Sequence, residues 1–139
     1  MKKLFLILFL LSALFADADT RELLIRERFF IAQINEIYIN PKSYLGMEIQ
    51  LEGIFDSYES YKTKEKKYFV FRYGPGCCGP DAQAGFEVFW DKNYPKKNDW
   101  VEAKGILEEY TDETKVKFLR LRLTSLEVLP TRGKEIVLR

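Results

Sequence analysis

The residues best suited to chemistry lie in one short segment of the chain, RYGPGCCGPDAQAG, residues 72–85. It contains the only two cysteines of the sequence, Cys77 and Cys78, and Asp81 follows three residues after the second. Thiolates bind soft metal ions such as zinc and copper(I), and a carboxylate can add an oxygen ligand. Two thiols can also oxidise to a disulfide. The segment therefore predicts a soft-metal or metalloid site or a redox-active pair, with a structural role as the third possibility.

A bridge between neighbouring cysteines is a poor structural staple. Consecutive α-carbons lie about 3.8 Å apart, whereas disulfides usually span about 4.4–6.8 Å, so a Cys77–Cys78 bond is strained and easily reduced. Adjacent strand side chains point to opposite faces, so two adjacent sulfurs meet one ion only where the backbone turns. Glycine and proline allow such a turn. The residues of this kind around the pair are Gly74, Pro75, Gly76, Gly79 and Pro80.

Two charged residues flank the pair, and each has two interpretations. Arg72 would favour the thiolate form if its guanidinium faced the cysteines, and would otherwise be a solvated strand residue. Asp81 is either a third metal ligand or an Asx-turn residue that supports the loop. The chain has no histidine, which excludes Ser–His and Cys–His catalysis and all histidine-containing zinc sites. We therefore expect no enzyme, apart from redox activity of the pair.

The N-terminal segment MKKLFLILFLLSALFADADT has the organisation of a secretory signal peptide. Two lysines form the positive region, residues 4–15 form the apolar region, and cleavage is expected after Ala16 or Ala18. The apolar run is shorter than the roughly 20 residues that span a bilayer. We expect residues 1–18 to be removed, which leaves an exported protein without a stable membrane span, periplasmic in a Gram-negative cell.

The charge balance argues against nucleic-acid binding. Cleavage after Ala16 leaves 20 basic and 21 acidic residues and a net charge of −1, and cleavage after Ala18 also removes Asp17 and leaves a net charge of zero. Nucleic-acid binders usually carry a distinctly basic face. Most of the aromatic residues between positions 58 and 73, which could otherwise form a stacking platform, are expected to fill the core. They are Tyr58, Tyr61, Tyr68, Phe69, Phe71 and Tyr73.

The rest of the chain has the pattern of one helix followed by five short strands. Residues 19–45 predict an N-terminal helix, capped at Asp19 or Thr20, and a turn. Residues 46–130 contain five segments of period-two alternation, which predicts a mainly β fold: a small five-stranded antiparallel OB-fold-like barrel. Residues 131–139 predict a loosely attached C-terminal extension. The alternating segments are 47–55, 68–73, 86–90, 101–107 and 119–124.

The segment CCGPDAQAG resembles the C-C-x-x-D-A region in the extracytoplasmic domain of YcgQ-type permease accessory subunits. The resemblance extends to EIYINPKSYLGMEIQLEGIF, NDWVEAKGILEEY and LTSLEVL, over about residues 36–129. It implies an OB-like domain outside the cytoplasm that works beside a membrane permease. Pro80 stands where alanine is common in the family and is expected to stiffen the loop. The motif positions carried over are Cys77, Cys78, Asp81, Ala82 and Gly85.

Members of this family carry membrane helices ahead of the domain, whereas this chain has only the signal-like segment, so a freestanding module is expected. We expect it to present the Cys77–Cys78 loop, with Asp81 in support, to zinc, copper(I), a metalloid or a partner protein. The alternatives are a thiol–disulfide redox protein or sensor, and a purely structural exported domain.

Overall fold

The computed structural model describes residues 20–138, so the predicted signal peptide lies outside the described residues. Strand β1 (Glu22–Leu24) and a 3-10 turn (Glu27–Phe29) precede helix α1 (Phe30–Ile39), and a second 3-10 turn (Pro41–Ser43) follows it. The remaining strands are β2 (Glu48–Glu59), β3 (Lys66–Gly74), β4 (Ala82–Phe89), β5 (Trp100–Thr111) and β6 (Lys117–Val128).

Strands β2 to β6 close into a barrel in the order β2-β3-β4-β6-β5, with β5 pairing back onto β2. Within the described residues, the predicted five-stranded barrel and single helix are confirmed. The sheet is mixed rather than wholly antiparallel, because β4 and β6 run parallel and β1 pairs in parallel with β2. A closed ring with an odd number of strands cannot alternate direction at every step. One parallel pair is therefore required by closure itself.

The barrel interior and the inner face of α1 form one apolar core. Phe30, Ile34 and Ile37 of the helix are buried, at the i, i+4, i+7 spacing of one helix face. The ring of Tyr38 stacks on Phe86 of β4 with centroids 5.5 Å apart, which fixes the helix over that strand. Burial of these side chains holds the helix against the barrel although no side chain caps its N-terminus.

The helix begins later than the sequence predicts. The predicted cap at Asp19 lies outside the described residues, and a cap at Thr20 is wrong, because Glu22–Leu24 is extended and pairs with β2, with Leu23 opposite Ile49. Pairing to an existing strand satisfies backbone groups that a short exposed helical turn would leave to water.

The C-terminal segment is held against β3, so the expectation of loose attachment is wrong. Tyr73 donates its backbone N–H to Glu135 at 2.7 Å and accepts from the N–H of Val137 at 2.8 Å. Val137 is also buried in the core. Beyond Phe71 the pairing of β3 with β2 has ended, and the C-terminal segment supplies the missing partners.

Candidate functional site

The predicted site stands at the end of the β-hairpin that β3 and β4 form. The two strands pair as far as Gly74 opposite Ala82, and residues 75–81 make the connection, called here the dithiol loop. The sequence pattern starts this strand at Phe86, but β4 begins at Ala82 because its first residues continue the ladder. Gly74, Ala82 and Gly85 are therefore strand residues and not part of the loop itself.

The dithiol loop turns tightly at its two cysteines. Gly76 donates its N–H to the carbonyl of Gly79 at 2.7 Å, and Gly79 has a φ of 136°, a conformation that favours glycine. The Sγ atoms of Cys77 and Cys78 lie 3.2 Å apart, and both residues are free and exposed. The turn thus brings two adjacent sulfurs together where a strand would separate them.

Asp81 is placed differently from the two thiols. Its carboxylate lies over the backbone of Gly76, where a side-chain methyl group would collide with Asp81 Oδ1. Within residues 20–138, no group of three or more Cys, His, Asp or Glu side chains is arranged to hold a metal ion. The structure brings Cys77 and Cys78 together but does not place Asp81 with them as a third ligand. Pro80 lies exposed between Gly79 and Asp81.

The sulfur separation is compatible with two reactions. Tetrahedral zinc with Zn–S bonds of about 2.3 Å holds two sulfurs about 3.8 Å apart, and a disulfide bond is about 2.05 Å long. The observed 3.2 Å lies between these values, so the pair is close to the sulfur separation of either state. Two thiolates fill only two positions of a four-coordinate ion. The remaining ligands must then come from outside the pair.

Arg72 is buried and its guanidinium is held by groups other than the cysteines, so both interpretations of it from the sequence are wrong. Its side chain is held by three hydrogen bonds, and the residue is only 3% exposed. Nε donates to the carbonyl of Glu52 at 2.8 Å, and Nη1 donates to the carbonyl of Lys134 at 3.2 Å and to the carboxylate of Glu27 at 3.4 Å. The guanidinium therefore joins the N-terminal segment, β2 and the C-terminal segment.

Two aromatic rings complete this arrangement, called here the Arg72 anchor. The guanidinium carbon lies 5.0 Å from the ring centroid of Phe30 and 4.8 Å from that of Trp100. Burial lowers the pKa of Arg72, and the hydrogen bond to Glu27 opposes that shift. The period-two alternation could have revealed this burial, because Arg72 shares a strand face with the fully buried Val70. The anchor fixes β3 two residues before the strand ends at the dithiol loop.

The fold and site define a small closed β-barrel that carries an exposed pair of adjacent thiols on a hairpin. The sequence profile of the DUF1980 C-terminal domain matches residues 12–136, and the chain belongs to this family. The match includes the whole region that resembles YcgQ-type subunits. No curated protein matches the chain. Among residues 20–138, no helix has the length and apolar character needed to cross a membrane.

Proposed function

We propose that this chain is an exported, OB-like binding module that works beside a membrane permease and binds a soft metal or metalloid ion through Cys77 and Cys78. The observation that carries the proposal is the 3.2 Å approach of two free, exposed sulfurs on a fixed hairpin. Neither cysteine belongs to the apolar core, so folding does not require them. Their adjacency is explained by a ligand that takes both sulfurs at once.

The chemistry of the pair favours a thiophilic ion. Two thiolates form a bidentate ligand for copper(I), zinc or trivalent arsenic, and softness favours these ions over calcium or magnesium. A partner protein or water completes the coordination, since two sulfurs alone leave positions open. Exposure of the loop on the end of β3 and β4 lets a partner reach the ion.

The wider setting rests on the family and on the topology. The closed strand order with one parallel pair supports an OB-like barrel, whose five strands form a Greek-key arrangement. The resemblance to YcgQ-type subunits supports a permease partner. The signal-like pattern of residues 1–18 supports export to the periplasm.

A reversible Cys77–Cys78 disulfide is the second candidate, and the short sulfur separation favours it as well. The two thiols would lose two electrons and two protons to a disulfide oxidant such as glutathione disulfide, which is reduced to two glutathione thiols. A bond between adjacent residues is strained, so the couple would be readily reversible.

Intact-mass spectrometry after alkylation separates these functions. The reduced chain is incubated with zinc, copper(I) or arsenite and then treated with iodoacetamide, with Cys77→Ser and Cys78→Ser as matched single-thiol controls. The proposal expects the ion to protect both thiols of the natural chain, and much weaker protection of either control. Loss of two hydrogens with glutathione disulfide, without protection by any ion, would instead establish the redox function. Full alkylation under all conditions would leave only a structural role.

A further inference from the structure

A concave site lies far from the dithiol loop. Its walls are the connections between β2 and β3 and between β5 and β6, and its floor is formed by side chains of β3, β4 and β6. The cavity measures about 360 Å³, within the size range of ligand pockets in proteins. We call it the hairpin groove. Lys67 in the groove and Gly74 below the dithiol loop are seven residues apart on β3, or about 23 Å of strand.

The floor and rim of the hairpin groove are aromatic. Phe69 and Phe118 lie in the lining, and Tyr58 stands at its edge. Tyr58 is 55% exposed and Phe118 is 36% exposed, so neither ring belongs to the core. Exposed aromatic side chains that line a concave surface are typical of the contacts that dominate binding energy.

The polar side chains at the floor are already paired with one another. Lys67 Nζ donates to the Tyr110 hydroxyl at 2.8 Å, and that hydroxyl donates to Glu87 at 2.7 Å. The Lys67 ammonium also lies 4.4 Å from the ring centroid of Phe118. Partial burial lowers the pKa of Lys67, but the Tyr110 and Glu87 contacts outweigh it and raise the pKa above its usual value. A ligand therefore gains more from apolar contact than from new hydrogen bonds at the floor.

The charge of the lining restricts the class of ligand. Grooves that track single-stranded nucleic acid are positively charged, whereas this lining has a net charge of −2. An acidic rim above an aromatic floor complements a ligand that combines a positive charge with an apolar group. The charged residues of the lining are Lys62, Glu65, Lys67, Glu87, Asp112 and Glu113.

We propose that the hairpin groove binds an extended segment of a partner protein. One aromatic or large aliphatic side chain of that segment enters between Phe69 and Phe118, and flanking lysine or arginine side chains face the acidic rim. A saccharide fits less well, because it relies on free hydrogen-bonding groups where the floor groups are already paired. The module thus has a docking site at one end of β3 and the thiol pair at the other.

The test is a titration of the isotope-labelled chain, followed by NMR, with three blocked tripeptides: Lys-Phe-Lys, Glu-Phe-Glu and Lys-Gly-Lys. The proposal expects Lys-Phe-Lys to shift the amide signals of Phe69, Glu87 and Phe118, and the other two peptides to bind about tenfold more weakly. The double variant Cys77→Ser, Cys78→Ser should bind Lys-Phe-Lys as the natural chain does.

Matched variants separate the groove from the rest of β6. Phe118→Ser should lower the affinity for Lys-Phe-Lys about tenfold. Val128→Ser, at a 55% exposed position on the same strand, should leave that affinity unchanged. Glu113→Lys should lower the same affinity about threefold. Glu127→Lys makes the same charge change on β6 outside the groove and serves as its control. Equal binding of Glu-Phe-Glu, equal effects of the paired variants, or no shifts at the groove would each overturn the proposal.

Discussion

The Arg72 anchor leads to a quantitative prediction for one substitution. Arg72→Met keeps an unbranched side chain that can remain between Phe30 and Trp100, but it removes every hydrogen-bond donor. The carbonyls of Glu52 and Lys134 then lose their charged partner. The substitution therefore tests whether this buried cation holds the barrel and the two terminal segments together.

The contacts of Arg72 give the unfolding free energy that Arg72→Met is expected to lose. A hydrogen bond from a charged donor, as to Glu52 at 2.8 Å, contributes about 1.5–3 kcal/mol. The two ring contacts contribute about 1 kcal/mol each, while the pair with the half-exposed Glu27 adds little. Apolar contacts of methionine offset part of this, which leaves a net loss of about 3 kcal/mol. For a chain of this length it lowers the melting temperature by about 12 °C.

Thermal and urea unfolding, followed by circular dichroism, measure the effect. Arg72→Lys keeps the charge but can satisfy fewer acceptors, so we expect about half the loss. Arg122→Met is the control, because that arginine has a side chain 53% exposed and contacts Glu108 at the surface. Arg122→Met should lower the free energy of unfolding by less than about 1 kcal/mol. If Arg72→Met were no less stable than Arg122→Met, the reasoning about the buried anchor would be refuted.

Three further predictions concern other parts of the molecule. The hydrogen bond from Lys134, with help from Arg72, holds the pKa of Glu27 below its usual 4.5. The ionised carboxylate therefore stabilises the fold above pH 4.5, and this stabilisation is lost as the pH falls through the lowered pKa. In urea unfolding, Glu27→Gln should have a lower free energy of unfolding than the natural chain near pH 7, and the difference should disappear at about pH 3. The double variant Cys77→Ser, Cys78→Ser should unfold within about 0.5 kcal/mol of the natural chain, because both cysteines are exposed. Phe86→Ala should lower the free energy of unfolding by about 3–5 kcal/mol in the same assay, because the Phe86 ring is buried between the barrel core and α1.

The barrel was predictable because strand alternation is a local property. Residues such as Ile49 and Leu51 mark a buried face wherever the chain later goes. Strand direction depends instead on closure, so the parallel pairing of β4 with β6 required the three-dimensional connectivity. The three residues of β1 are too few to show a period, and their assignment depends on β2 lying beside them.

The turn that carries the two cysteines was also predictable, but the contacts around it were not. Glycine and proline around Cys77 and Cys78 indicate a turn from sequence alone. The position of Asp81 depends on the open space above Gly76, and the partners of Arg72 come from segments distant in the chain. The partners of Arg72 come together only when the barrel closes, so no local pattern contains them.

X-ray absorption spectroscopy at the edge of a bound ion tests the central proposal most directly. The reduced chain is loaded with one equivalent of copper(I) or arsenite and compared with the double variant Cys77→Ser, Cys78→Ser. The proposal predicts two sulfur neighbours from the chain for each bound ion and no retained ion in the variant. An ion without sulfur neighbours, or equal retention by the variant, would contradict it.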